Sequence, residues 1–143
     1  MIVNNKKAYY EYFITDKFTA GIVLRGSEIK SARAGKLNFT DSYCQFIGNE
    51  LFIKHMHISE YEQGTIWNHE PKRERKLLLE KKELKKIQRA LLGTGMTIVP
   101  LNAFISKTGY LKIQIGIAKG KKLYDKRESI KKRDLDKENS NKN

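Results

Sequence analysis

His55 and His57 stand two residues apart in a run that reads as a strand, so both side chains point to one face. With His69 and Cys44 they supply the residue types of a zinc site, which takes imidazole and thiolate ligands in a tetrahedral set. Their spacing matches no finger or ribbon, so they read as half-buried histidines and a small core thiol. Glu28, Asp41 and Glu50 are scattered acids without the pairing that acid–base work requires. Gly116–Lys122 (GIAKGKK) has the residue types of a phosphate loop but not its spacing, and no helix-opening Ser or Thr follows. Its Lys119, Lys121 and Lys122 can still meet a phosphate as point charges. The chain is expected to have no catalytic residues, no metal and no cofactor.

The charge balance points to a different kind of chemistry. The 143 residues carry 29 Lys/Arg against 16 Asp/Glu, a formal net charge of +13. The pI of about 9.8 predicts a polyanionic partner. A nucleic acid is favoured over a membrane, because no long apolar run or hydrophobic anchor is present. Met1–Lys7 lacks the apolar stretch of a signal peptide, and the single cysteine excludes an internal disulfide. A cytoplasmic home is expected. Basic residues lie near aromatics in several places: Lys6-Lys7 before Tyr9-Tyr10, and Lys119–Lys122 beside Tyr124. Lys30 and Arg33 add to this set. Such groups bind phosphates and stack on unpaired bases. Phe13 and at least one of the neighbouring tyrosines read instead as core, and the lysines of Lys81–Arg89 as a solvated helix face.

These groups need a scaffold. Residues 1–8 read as a basic arm and Tyr9–Ile14 as an ordered opening segment. Ala20–Leu24 is a β-branched strand. Ser27–Ala34 is expected to be a short helix, capped by Ser27, ended by Gly35, with Ile29 and Ala32 inward. Phe39–Ile47 and Glu50–His57 flank the turn Gly48-Asn49 at hairpin distance. Gly64–Arg75 reads as a loop, and Leu77–Leu79 is too short to classify. Lys81–Leu92 is the clearest helix, with Leu84, Ile87, Gln88 and Leu91 on one stripe. Met96–Ile105 and Tyr110–Ala118 are strands joined by a turn at Lys107–Gly109. In the second, Leu111, Ile113, Ile115 and Ile117 share a face. Pro100 predicts an edge or a bend in its partner. About six strands without βαβ alternation predict a mainly β fold. It is an antiparallel sheet closed, or nearly closed, into a small barrel with two to three flanking helices.

The chain divides at about residue 118. From Lys119 to Asn143 there are ten Lys/Arg and five Asp/Glu, with only Leu123, Tyr124, Ile130 and Leu135 as large apolar residues. Such a segment cannot offset its ordering entropy by burial, so on composition it is either a solvated tail that only aids solubility or a segment that orders against a polyanion. Leu123 and Ile130 are seven apart, on one side of a helix, with Lys126, Arg127, Lys131, Lys132 and Arg133 spread around the rest.

Five blocks in order make the chain resemble the SmpB family, the SsrA-binding proteins that partner tmRNA in bacterial trans-translation. They are YEYFI at 10–14, AGIVLRGSEIKSARAGKLNFTDSY at 20–43, HISEYEQG at 57–64, HEPKRERKLLL at 69–79 and GIAKGKKLYDKRE at 116–128. The resemblance spans about Asn5 to Asp134. It implies an oligonucleotide-binding-fold barrel over 1–118 and a basic tail over 119–143, unfolded when free and helical on the ribosome. It implies binding to the tRNA-like domain of tmRNA, support of its aminoacylation, and its delivery with elongation factor Tu and GTP to stalled ribosomes. The tail would occupy the empty mRNA channel of the small subunit beside the decoding centre. A monomer without membrane association is expected. Carried over, the tmRNA-facing set is Lys7, Tyr12, Lys30, Arg33, Leu78, Glu80 and Lys119. The ribosome-facing set is Lys121, Lys122, Tyr124, Asp125, Lys126, Arg127, Lys131 and Arg133. Two positions depart from the family pattern: Thr19, where many members carry Glu, and Glu80, often a small polar residue.

Overall fold

The alternation in YLKIQIGIA becomes the central strand of the molecule. The computed structural model describes residues 2–60, 69–93 and 95–121. The elements in chain order are β1 (Ile2–Asn4), α1 (Lys6–Glu11), β2 (Tyr12–Ile22), α2 (Gly26–Arg33), β3 (Leu37–Asn38), β4 (Tyr43–Ile47), β5 (Glu50–Lys54), β6 (His57–Ile58), β7 (Arg75–Leu78), α3 (Lys81–Ala90), β8 (Met96–Ile105) and β9 (Leu111–Gly120). β9 pairs antiparallel with β2 on one edge and β8 on the other. Its Leu111, Ile113, Ile115 and Ile117 are all buried. Six strands close on themselves in the order β8-β4-β5-β7-β2-β9 and back to β8, with β1 added outside β8. β3 and β6 form a separate short ladder. The expected mainly β, barrel-like architecture is present, and every ladder is antiparallel.

Strand β8 carries the predicted bend. Its register against β9 shifts between Pro100 and Asn102, where a residue without an N–H is tolerated. On its other edge β8 pairs with β4 at Ile98 and with β1 at Asn102–Phe104, so Pro100 lies where the partner changes. Cys44 is the β4 residue at that single seam pair and is buried. Burial pushes its thiol far above the ordinary range.

Several segments fold differently from their sequence reading, each because of a distant partner. The expected arm at residues 1–8 is β1 plus the start of α1. The Asn5 N–H donates to the Leu101 carbonyl at 2.8 Å and its Nδ2 to the Pro100 carbonyl at 2.8 Å. β2 begins at Tyr12 rather than Ala20, because β9 pairs along its whole length while Thr15, Asp16, Lys17 and Thr19 face solvent. The expected strand 39–47 splits at a turn where Asp41 takes φ 60°. The expected strand 50–57 breaks at His55, φ 64°, which sends His57 and Ile58 to pair with β3. Leu77–Leu79 resolves as the end of β7 and its exit, with Arg75 opening that strand. β9 runs to Gly120. Helix α3 packs Ile87 into the core, with Leu84 and Leu91 half-buried beside it. The Glu83 side chain closes its first turn by accepting the Glu80 N–H at 3.1 Å.

One buried ionic cluster ties α2 to β7. Glu28 and Arg75 are both completely buried. Arg75 Nε donates to Glu28 Oε2 at 2.6 Å, and Arg73 donates through Nη2 to Oε1 at 2.6 Å and through Nε to Oε2 at 3.1 Å. The Arg25 N–H reaches Oε1 at 2.8 Å. Arg75 also donates from Nη1 to the Met56 carbonyl at 2.8 Å and from Nη2 to the Pro71 carbonyl at 3.0 Å. Glu28, unpaired on sequence grounds, is therefore the best-satisfied acid in the described structure. Burial pushes its carboxyl up, but the hydrogen bonds from Arg73 and Arg25 and the charge of Arg75 outweigh this and hold it below its ordinary value. Ser27, expected to cap α2, instead hydrogen-bonds through Oγ with His69 Nδ1 at 2.8 Å, and the cap position falls at Arg25. The other end keeps its predicted stop: Gly35 has φ 80°, its N–H reaches the Ala32 carbonyl at 3.0 Å, and the Lys36 N–H reaches Ser31 at 3.0 Å.

Removing one partner of this cluster leaves a buried charge. Arg75→Met is expected to lose about 3–5 kcal/mol, measured by urea unfolding. Adding Glu28→Met should recover part of that loss, and an additive double mutant would contradict the pairing. A carboxyl depressed in the folded state stabilises fully above its ordinary value of 4.5 and loses that contribution as pH falls through the lower folded value. The urea midpoint should therefore fall below about pH 4.5, and less steeply in Glu28→Gln. Cys44 should resist alkylation in buffer and react fully in denaturant, since only the exposed thiolate is nucleophilic.

Candidate nucleic-acid interface

The ionic cluster sets the rotation of α2. Glu28, Ser31 and Ala32 face inward. Ile29, one residue on and about 100° further round the helix, is turned to the surface rather than into the core. Arg33, at the far end, donates from Nη2 to the Gly109 carbonyl at 2.7 Å. That bond joins α2 to the β8–β9 turn. The turn is itself tight: the Ser106 N–H reaches the Tyr110 carbonyl at 2.8 Å, and Gly109 (φ 89°) returns its N–H to Ser106 at 2.9 Å. Between α2, β7 and this turn lies an open groove of about 620 Å³. Val23, Ile29, Leu78 and Tyr110 form its apolar surface, and Arg33 and Lys112 supply cations. Leu78 is exposed because β7 pairs it with Gly21, a residue with no side chain to cover it.

A second surface gathers where β2 begins and β9 ends. Phe13 is 51% exposed, with the Lys121 ammonium 4.9 Å from its ring centre. Lys17 stands 5.4 Å from the ring of Tyr9. Lys119 lies opposite Phe13 in the β2–β9 register. The ring of Phe13, expected in the core, faces out because strand parity from Tyr12 puts Tyr12 and Ile14 inward and Phe13 between them outward. Tyr12 meets the core expectation for one of the tyrosines. With Lys7 and Glu11 it also lines a smaller hollow of about 330 Å³ under α1.

The seven residues assigned to tmRNA are thus not one cluster. Arg33 and Leu78 line the groove, and Lys30 is exposed one turn earlier on the same helix. Glu80 is the residue before α3, with Lys82 Nζ at 3.9 Å. Lys7 and Tyr12 belong to the hollow under α1, where the Lys7 ammonium lies 3.9 Å from Glu11. Lys119 joins the aromatic surface. Thr19 is exposed on β2 opposite Gln114, two residues before Gly21. Sequence reasoning missed Tyr110 and Lys112 as groove residues, although the period-two pattern over Tyr110–Ala118 already put both on the face opposite Leu111 and Ile113. Of the ribosome-assigned set only Lys121 is described, donating to the Tyr9 carbonyl at 3.4 Å. Lys122, Tyr124, Asp125, Lys126, Arg127, Lys131 and Arg133 lie outside the described residues.

The residues that suggested zinc are dispersed. His55 is exposed and lies 5.6 Å from the ring of Tyr43, while His57 sits in β6. Buried His69 donates from Nε2 to the Ile58 carbonyl at 2.8 Å, and its Nδ1 lies 2.8 Å from Ser27 Oγ. Among the described residues no three His, Cys, Asp or Glu side chains are grouped to hold a metal. The GIAKGKK block lies mostly within β9 and forms no loop through Gly120. A Cβ on Gly116 would stand 2.9 Å from Ile14 Cγ2 and 3.0 Å from Leu101 Cδ1, so this glycine serves strand packing, not phosphate approach. No helix among the described residues is long and apolar enough to cross a membrane.

Comparison with known proteins gives a consistent result. SsrA-binding proteins are 50% identical to the chain over 132 residues in Christiangramia forsetii, covering 92% of this chain and 84% of the relative. The one from Phocaeicola vulgatus is 52% identical over 132 residues, covering 92% and 88%. The one from Streptococcus pneumoniae serotype 4 is 51% identical over 134 residues, covering 94% and 86%. A solved structure described as "tmRNA-SmpB: a journey to the center of the bacterial ribosome" superposes with a TM-score of 0.71 at 41% identity, covering 84% of each chain. The family model described as SmpB protein matches residues 2–143. The chain belongs to the SmpB protein family.

Proposed function

We propose that this protein binds the tRNA-like domain of tmRNA and brings it to stalled ribosomes in trans-translation. The observation that carries this reading is the groove. Arg33 and Leu78, two residues that the family resemblance assigns to tmRNA, meet there from separate elements beside Lys112. An apolar floor with a cationic rim suits a nucleotide, which has a flat base at one end and a phosphate at the other. The net charge of +13 supplies long-range attraction to RNA. The protein acts as an RNA-binding partner, not a catalyst. It works as a monomer in the cytoplasm, and elongation factor Tu with GTP joins through the alanylated tmRNA.

The division of labour follows residues 1–118 and 119–143. The barrel holds tmRNA. The tail, with Lys121, Lys122, Tyr124, Asp125, Lys126, Arg127, Lys131 and Arg133, occupies the empty mRNA channel and folds there as a helix. The Lys121–Phe13 contact supports a tail rooted on the aromatic surface, away from the groove: the two surfaces share no lining residue.

Competition binding tests the first half. The protein should prefer tmRNA's tRNA-like domain over unrelated RNA of equal length, and equal affinity would leave only a general single-strand binder. Truncation after Lys119 should leave that affinity nearly intact while abolishing peptide tagging on stalled ribosomes; tagging by the truncated chain would reverse the assignment. Thr19→Glu reports on the missing family acid. A gain in tmRNA affinity would mean that the contact is absent here, and no change that it is replaced or unimportant.

A further inference from the structure

We propose that Tyr110 is a base-stacking platform of the groove, taking one unpaired nucleotide of the bound RNA, and that Arg33 positions it. The inference rests on the tmRNA reading above and adds a residue and a ligand chemistry to it. Tyr110 is 69% exposed and is the aromatic residue among those described that line the groove. An aromatic this open buries little of its own surface and adds little to the fold. Yet its backbone is held firmly. Its N–H donates to Ser106 Oγ at 3.2 Å, its carbonyl accepts the Ser106 N–H at 2.8 Å, and Arg33 clamps the preceding carbonyl at 2.7 Å. A rigid mount under an open ring lowers the entropy cost of stacking.

The surroundings choose the occupant. Leu78 and Ile29 give an apolar surface on which a base can rest, while Lys112 brings positive charge beside it. A fully apolar ligand would leave that cation without counter-charge. A duplex presents stacked bases that the ring cannot reach, so the fit is to a nucleotide turned out of its stack. Arg33 uses one guanidinium nitrogen on Gly109 and acts through the turn, as a positioning residue for Tyr110.

The test measures affinity of the full-length protein for tmRNA's tRNA-like domain across a salt series. Tyr110→Ala should weaken binding by about 5- to 150-fold, the range of one lost base–aromatic stack. Tyr110→Phe should bind as the parent does, since the ring face and not the hydroxyl makes the contact. The slope of log affinity against log salt should not change in either variant, because stacking releases no counterions. In a double-mutant cycle, Arg33→Ala should cost affinity in the parent and little in Tyr110→Ala. Unchanged binding by Tyr110→Ala, or equal loss in Tyr110→Phe, would overturn the stacking role. An Arg33→Ala cost that persists in the Tyr110→Ala background with a shallower salt slope would make Arg33 a direct phosphate contact and overturn its positioning role. If Tyr110→Ala loses affinity equally for unrelated RNA while the parent shows no preference, the stack stands and the tmRNA reading fails. If an apolar peptide competes with the RNA for the parent and not for Tyr110→Ala, the groove is a protein site and the nucleotide assignment fails.

Discussion

Glu28 is an ionised side chain placed where no water reaches it, and the groove depends on how that charge is satisfied. Two guanidinium groups and a backbone N–H surround the carboxylate. A buried ion pair adds little net stability compared with well-packed apolar residues, but it tolerates very little misalignment. Here that intolerance has a geometric result. Glu28 fixes α2 against β7, and the two elements bring Arg33 and Leu78 to the lining of one groove. The same rotation puts Ile29 on the surface instead of in the core. An apolar stripe alone would have chosen Ile29 as the inward residue; the charge cluster overrides it.

Around that anchor the barrel divides its surfaces. Closure through β8 and β9 leaves the six barrel strands paired, which frees the outward side chains of β2, β7 and β9 for recognition. The groove is apolar with a cationic rim. The surface at the start of β2 is aromatic with cations over the rings. Both combine the same two residue types, but in the groove the apolar part is concave and in the other it is a set of open rings already covered by lysines. The first is shaped to receive a ligand. The second meets the root of the tail through Lys121.

The barrel was legible wherever a local pattern survived. Ile113, Ile115 and Ile117 alternate cleanly, so β9 and its inward face could be read directly. Gly35 could be read as a helix stop because a left-handed residue is needed there. Where a segment's structure came from a distant strand, the reading failed. β1 has no periodicity of its own and is held by β8, and the first half of β2 is polar on one face and held by β9. The misplaced start of β2 then hid the parity that exposes Phe13. Arg33 and Leu78 entered as family positions, and nothing in their 45-residue separation announced that they line one groove.

Two properties could be read from the chain directly: its strongly basic balance and its mainly β core. Those follow from charge counts and from periods of two or four residues, which are local quantities. Tertiary structure alone decided that Glu28 is paired, that His55 and His57 part company, that Gly116 serves packing and that Tyr110 stands over a groove. Each of these depends on which residues, dozens of positions apart, share a few ångströms, and neither composition nor spacing along the chain carries that information.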